Sequence, residues 1–301
     1  MKALLLGTRG SPLALAQTEI VRQRLEAAHP NLTIEVRIIK TRGDLWGDVS
    51  LLRAGGKGLF TREIEDELVA GAIHVAVHSL KDLPTRLPEG LCIGATLPRE
   101  DPRDVLIAKR AACIADLPPH ARVATSSLRR RAQLLAQRPD LQVEEIRGNI
   151  GTRLRKFGER DDLDAMVLAA AGLKRLGLLD GRWPMLEVTE MIPAVGQGII
   201  ACEARAGDAA TLALLQSIND SDTFACGEAE RAFLHAAGGG CQLPYAAHAT
   251  VRSGQLHLIA ARFAPDGTNA SKTEVIGSLA DAIALGKEAA GLCSASVSSI
   301  G

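Results

Sequence analysis

Apolar and polar positions follow two rhythms along this chain, and the rhythm changes at a few marked places. Ala3 to Gly7 is a short apolar run, read as a buried strand, and Ser11-Pro12 has the form of a helix N-cap followed by proline at the first helical position. The predicted helix runs to about His29-Pro30. Thr33 to Lys40 then alternates through Ile34, Val36 and Ile38, as a half-buried strand does. Strand, helix, strand predicts a parallel sheet with crossover helices. A helix near 61–70 leads to another strand, Ile73 to His78. Pro98 to Asp104 is polar and carries two prolines, the pattern of an interdomain linker. Beyond it the strand-helix rhythm begins again, with a strand ending at Val123-Ala124-Thr125, a helix from Leu128, and strands over Leu141–Ile146 and Asp164–Ala169. Ile192 to Gly198 reads as a second crossing and a hinge, leading into an apolar strand, Ile199 to Glu203. Helices are predicted at about 208–218 and 222–237. Ala246–Arg252, Leu256–Phe263 and Lys272–Gly277 then read as strands, with Asp266-Gly267 as a turn and a closing helix over Ala280–Leu292. Two α/β units followed by a small α+β unit is the expected fold class.

Composition narrows the setting. With 301 residues, two or three domains are expected. Apolar residues make up 47% and aromatics only 3%, so alanine, leucine, valine and isoleucine must do most of the packing. Lysine and arginine number 35 against 35 acidic residues, which argues against a general nucleic-acid or membrane-surface protein. Any cationic site must come from local placement. The six cysteines (92, 113, 202, 226, 241 and 293) include no Cys-x-x-Cys pair, so neither a zinc site nor a disulfide framework is expected. The opening Met1–Leu6 run reaches Thr8-Arg9 too soon for a signal-peptide core, and no apolar run approaches the roughly 18 residues of a membrane span. The expected setting is reducing and cytoplasmic.

Cations recur where predicted strands end. Arg9 follows the first strand, Lys81-Asp82 the third, Arg147 and Arg153 flank a glycine-bearing turn, and Lys174-Arg175 follow the strand at 164–169. Open α/β sheets bind ligands at such ends. Each alone reads equally as a solvated charge, and Lys81-Asp82 alone as a surface pair. Ser126-Ser127 precede Leu128-Arg129-Arg130-Arg131, which places three arginines in a first helical turn against the helix dipole. A chain that breaks a local rule this way has a reason outside the helix. The concentration points to a small polyanion bearing carboxylates or phosphates. Gly55-Gly56-Lys57-Gly58-Leu59-Phe60 lacks Walker spacing and reads as a mobile segment able to cover a ligand. Gly238-Gly239-Gly240-Cys241-Gln242-Leu243-Pro244 would present one thiol on a tight loop, or would simply be a turn around a packed cysteine.

Taken in order, these stretches resemble a known family. Thr8-Arg9-Gly10-Ser11-Pro12-Leu13-Ala14, Gly55 to Phe60, His78-Ser79-Leu80-Lys81-Asp82, Arg99-Glu100-Asp101-Pro102-Arg103-Asp104, Thr125-Ser126-Ser127-Leu128-Arg129-Arg130, Arg147-Gly148-Asn149-Ile150-Gly151-Thr152-Arg153, Pro193-Ala194-Val195-Gly196-Gln197-Gly198 and Gly239-Gly240-Cys241-Gln242 together resemble the hydroxymethylbilane synthases, also called porphobilinogen deaminases. The resemblance implies a transferase that joins four porphobilinogen molecules head to tail on a dipyrromethane cofactor, releasing four ammonia and then the linear tetrapyrrole hydroxymethylbilane. It implies a thioether from Cys241 to that cofactor. Asp82 would protonate the departing amine, stabilise cationic azafulvene and pyrrole intermediates and help remove the ring proton. Ser79, Lys81, Asp82, Thr125, Ser127, Arg129, Arg130, Arg147 and Gly148 would bind the cofactor. Arg9, Ser11, Phe60, Arg147, Arg153 and Gln197 would meet substrate, with Lys57, Gly58 and Phe60 on a mobile loop and Gln197 near the hinge.

The implied fold is two type II periplasmic-binding-protein-like domains around a cleft, 1–98 with 200–216 and 99–199, plus a third, 217–301, carrying the cysteine. A monomer is implied, with no metal, nucleic acid or membrane partner. Ala124, Tyr245 and His248 depart from the family's common residues, and Arg131 lies beyond the shared arginine pair. Two rivals remain at this point. A solute-binding module would leave the cysteine loop without a use. A cysteine hydrolase would pair Cys241 with His235 or His248 and form an acyl-enzyme.

Overall fold

A computed structural model describes residues 3–45, 61–239 and 243–298. Lys57, Gly58, Phe60 and Cys241 therefore lie outside the described residues. The chain forms two compact units, one drawn from 1–100 and 199–224, the other from 101–198 and 225–301.

The first unit opens with β1 (Leu4–Thr8), α1 (Pro12–Ala28), β2 (Ile34–Ile38), α2 (Arg42–Leu45), α3 (Arg62–Val69), β3 (Val75–Ser79) and β4 (Leu91–Thr96). Ser11 caps α1, its hydroxyl accepting from the Ala14 N–H at 3.3 Å, and Pro12 follows where the missing N–H costs nothing. The second unit then begins: β5 (Asp104–Ala108), β6 (Arg122–Ala124), α4 (Leu128–Gln137), β7 (Gln142–Glu144), α5 (Ile150–Gly158), β8 (Ala165–Ala169), α6 (Ala170–Arg175) and β9 (Met185–Leu186). The chain returns to the first unit through β10 (Ile200–Arg205) and α7 (Ala209–Gln216). It closes with α8 (Ser221–Ala236), β11 (Tyr245–Arg252), β12 (Gln255–Arg262), β13 (Ser271–Ser278) and α9 (Ala282–Ser298).

The two five-stranded sheets have one topology. The first runs β2-β1-β3-β10-β4 and the second β7-β6-β8-β5-β9. β1 lies parallel to β2 and β3, as β6 does to β7 and β8, because helical connections return the chain to the same end of the sheet. β10 and β5 run antiparallel to both their neighbours. Each is the strand that forms as the chain first enters its unit from the other, so no crossover helix orients it. The mixed α/β class follows from this duplicated strand order.

The third sheet, β11-β12-β13, is wholly antiparallel. Ser253 and Gly254 both have positive φ, the two-residue turn that matches strand twist. Phe233, Leu256, Leu258, Ala260, Leu285 and Ala289 form its dry core with α8 and α9. Strands β4 and β5 are not singled out by the hydrophobic pattern. β5 begins at Asp104, a charged residue with 0% exposure, and this disguises a buried strand as the end of a polar linker. No helix among the described residues is long and apolar enough to cross a membrane.

Candidate functional site

In the first unit the predicted residues gather at the carboxyl ends of β1 and β3. Thr8 is buried and Arg9, just beyond it, is half-buried. Ser79 closes β3, its Oγ 2.8 Å from the Gln17 amide nitrogen, which donates to it from the buried face of α1. Leu80–Asp82 form a single 3-10 turn, with Leu80 buried as its anchor and the Leu83 N–H closing it onto the Leu80 carbonyl. Leu83-Pro84 then stops the turn. Lys81 is half-buried and Asp82 exposed. Among the described residues none forms a hydrogen bond or ion pair with the Asp82 carboxylate. A tight turn that aims an unengaged carboxylate outward can serve a ligand that develops positive charge.

Behind this turn lies a buried ionisable group that sequence reading does not reveal. His78 Nε2 is 3.3 Å from Glu203 Oε2, and Glu65 is buried nearby. Burial pushes the Glu65 carboxyl above its ordinary pKa, and the Glu203 charge adds to this. A carboxyl whose pKa is raised by folding loses stability for the protein as pH climbs past its unfolded value near 4.3. Glu65→Gln is therefore expected to raise Tm at pH 8 and leave it unchanged at pH 4. An equal shift at both values would show that its charge carries no cost.

In the second unit, Thr125-Ser126-Ser127 joins β6 to α4. Thr125 is buried and its hydroxyl accepts from the Ser127 N–H at 3.2 Å, while Ser127 caps α4 by accepting from the Arg130 N–H at 3.4 Å. Ser126 Oγ donates to the Ile146 carbonyl at 2.5 Å. The arginines behave differently from the expectation that they stand open to an external anion. Arg129 and Arg130 are 4% and 7% exposed, and both donate to Asp104, at 2.7 and 2.8 Å. The anion that offsets the helix dipole is inside the protein. Burial alone would raise the Asp104 pKa, but the two guanidiniums reverse this and hold it well below the usual carboxylate range. Each arginine still keeps a buried Nε without a hydrogen-bond partner among the described residues. Arg131 is exposed, with Nη1 on the Val143 carbonyl at 2.9 Å.

The turn before α5 holds a second pair. Arg147 donates to Glu145 at 2.9 Å and Arg153 Nε to the Gly148 carbonyl at 2.7 Å. Gly148 has φ of 112°, and a Cβ there would meet Thr152 Cγ2 at 2.6 Å, so this turn requires glycine. Gln197, expected near the hinge, is 1% exposed and donates to the Pro102 carbonyl at 2.7 Å and to Asp104 at 2.8 Å.

Around the cysteine loop only the flanks are described. A Cβ on Gly239 would meet Leu234 Cδ1 at 2.6 Å and Tyr245 Cδ2 at 2.8 Å. Tyr245 in turn packs edge-on to Phe233, centroids 6.3 Å apart, so the chain enters and leaves the loop against one aromatic pair. His248 is buried, its Nδ1 3.8 Å from Glu230. Glu230 itself accepts from the Gly196 and Ala249 N–H groups at 2.6 and 2.7 Å. Asp104, Gln133 and Glu230 are supporting residues that sequence reading misses. For Asp104 the sequence carries a signal, because it ends the polar, proline-bearing Pro98–Asp104 stretch.

Comparison with known proteins agrees along nearly the whole length. Residues 4–213 match the family model described as porphobilinogen deaminase, dipyromethane cofactor binding domain, and residues 224–293 its C-terminal domain. A porphobilinogen deaminase of Syntrophomonas wolfei is 55% identical over 86% of this chain and 84% of that protein. One from Geobacillus kaustophilus is 49% identical over 98% and 94% respectively. The methionine binding protein MetQ aligns far more loosely, with TM-score 0.47 and 11% identity over 74% of this chain and 92% of that one, so the architecture rests on the strand order above.

Proposed function

The chain belongs to the porphobilinogen deaminase family, and from that premise we propose that Asp82 is its proton-transferring residue and Cys241 its cofactor tether. The enzyme joins four porphobilinogen molecules head to tail, releasing four ammonia and then, by hydrolysis, hydroxymethylbilane. The dipyrromethane cofactor, when bound, supplies the pyrrole terminus from which the product is extended. The donor set fits such a group. Its acetate and propionate carboxylates need cationic donors, and the buried, unaccepted Nε–H groups of Arg129 and Arg130 are donors in want of an acceptor.

The observation that carries the Asp82 assignment is its exposed, unengaged carboxylate at the end of β3, beside Lys81. As the substrate amine leaves, it takes a proton and its methylene carbon becomes cationic. A nearby carboxyl can give that proton, and the carboxylate left behind stabilises the delocalised charge. After the carbon–carbon bond forms, the attacked ring carbon must lose its proton, which Asp82 takes back. One proton is given and one recovered for each ammonia released.

In the first unit Arg9, Ser11, Ser79 and Lys81 would hold carboxylates. In the second, Thr125, Ser127, Arg129, Arg130, Arg147, Gly148 and Arg153 would do so, with Gln197 steadying the hinge segment. Lys57, Gly58 and Phe60 are assigned to a covering loop. We further divide the chain into three domains (1–98 with 200–216, 99–199 and 217–301), because the last sheet with α8 and α9 supplies every member of one hydrophobic cluster but Val195. A cytoplasmic monomer is the proposed working form.

Intact-mass measurement of the purified enzyme tests the tether. It should show an increment of two pyrrole units that is missing in Cys241→Ser. Normal turnover of porphobilinogen by unmodified protein would overturn the assignment. A hydrolase would instead be trapped as an acyl-enzyme.

A further inference from the structure

We propose that Asp104 is a positioning residue that orients the arginine pair and clamps the first two of the three crossover segments within the second unit. The inference rests on Arg129 and Arg130 serving substrate or cofactor carboxylates, and adds what fixes them in place. Asp104 is fully buried at the first residue of β5, immediately after the first crossover. Its Oδ2 takes Arg129 Nη2 at 2.7 Å, and its Oδ1 takes Arg130 Nη2 at 2.8 Å and Gln197 Nε2 at 2.8 Å. Gln197 belongs to the second crossover and also donates to Pro102 in the first, at 2.7 Å. One carboxylate thus gathers the first two of these connections.

The arginines extend the clamp. Arg129 Nη1 donates to the Ile192 carbonyl at 2.6 Å, and Arg130 Nη1 to the Val167 carbonyl at 3.1 Å. Gln133, one turn further along α4, brackets Ile192 by donating to its carbonyl at 3.0 Å and accepting from its N–H at 2.8 Å. Glu230 holds the Gly196 N–H, and Arg175 donates to the Gly198 carbonyl at 2.7 Å. Each terminal nitrogen of the pair makes one of these hydrogen bonds, while neither Nε–H has a partner among the described residues. Asp104 thereby decides which edge can meet a ligand carboxylate. A bidentate guanidinium is specific only while its plane is fixed.

Asp104→Asn keeps the shape, removes the charge and sets an amide N–H against cationic donors. In holoenzyme whose cofactor loading is verified by mass, KM for porphobilinogen should rise about tenfold or more for the folded fraction. Hydrogen exchange at 192–198 should quicken about tenfold, with Leu4–Thr8 of the first unit unchanged as an internal control. A residue that only supports folding would lower the folded fraction and leave the KM of the remainder alone. Gln197→Leu spares the ion triad, so it covers the case in which D104N does not fold, and exchange should quicken at 192–198 there too. Unchanged KM in folded D104N, or unchanged exchange in Gln197→Leu, overturns the positioning role. Wild-type protein lacking the cofactor increment would overturn the tether reading instead, so the two failures are distinguishable.

Discussion

Asp82→Asn is expected to lower turnover of porphobilinogen by at least about 100-fold, the span that a positioned proton-transfer group contributes. The amide nearly matches the carboxyl in shape, and no described residue depends on the Asp82 side chain, so folding should be untouched. The variant can neither return a proton to the leaving amine nor collect one from the ring, and it offers no charge to the cationic intermediate. The two-pyrrole mass increment should remain detectable, which separates a chemical defect from a loading defect. Rates are best compared per cofactor-bearing molecule across pH. A variant within a few-fold of wild type would remove Asp82 from the proton path, and Lys81 would become the residue to examine.

Phe233→Ala should be the most damaging of the core truncations near the cysteine loop. Phe233 is 0% exposed in the core between α8 and the last sheet, edge-on to Tyr245. Truncating a buried phenylalanine costs about 3–5 kcal/mol through lost transfer energy and the cavity left behind. The chain has few aromatics to fill such a gap, and its neighbours Ala229, Ala249 and Ala289 are too short to collapse into it. A lowered urea midpoint with unchanged slope would report this loss. Because Tyr245 and Gly239 pack together beside the loop, cofactor loading should fall in parallel. A cost below about 1 kcal/mol would mean that the site collapses readily.

The arginines of α4 show where local reading stops. Their position in a first helical turn conflicts with the helix dipole, and the sequence reading supplies a ligand as the reason. The structure finds a nearer anion, Asp104, 25 and 26 residues away in sequence. That partner is invisible to periodicity because nothing in a polar, proline-bearing stretch marks one aspartate as fully buried. Burying a charge is tolerated only when its partners come with it, and those partners are a tertiary fact. Glu230 is another example: an acidic residue in α8 whose use is to accept two backbone N–H groups from distant segments.

The amino-acid sequence by itself determined most of the secondary structure and the family. These rest on short-range rules of apolar period, caps, turns and ordered motifs, each legible within a few residues. Asp82 stands out only through the family resemblance, since the local pattern by itself reads Lys81-Asp82 as a surface pair. Tertiary structure alone decided that β5 and β10 run antiparallel to their neighbours and that the arginine pair is held by Asp104. It also revealed that the segments around Pro102 and Gln197 are tied to α4 through that carboxylate. These depend on which charges are taken out of water together, and desolvation is set by packing between segments far apart in the chain.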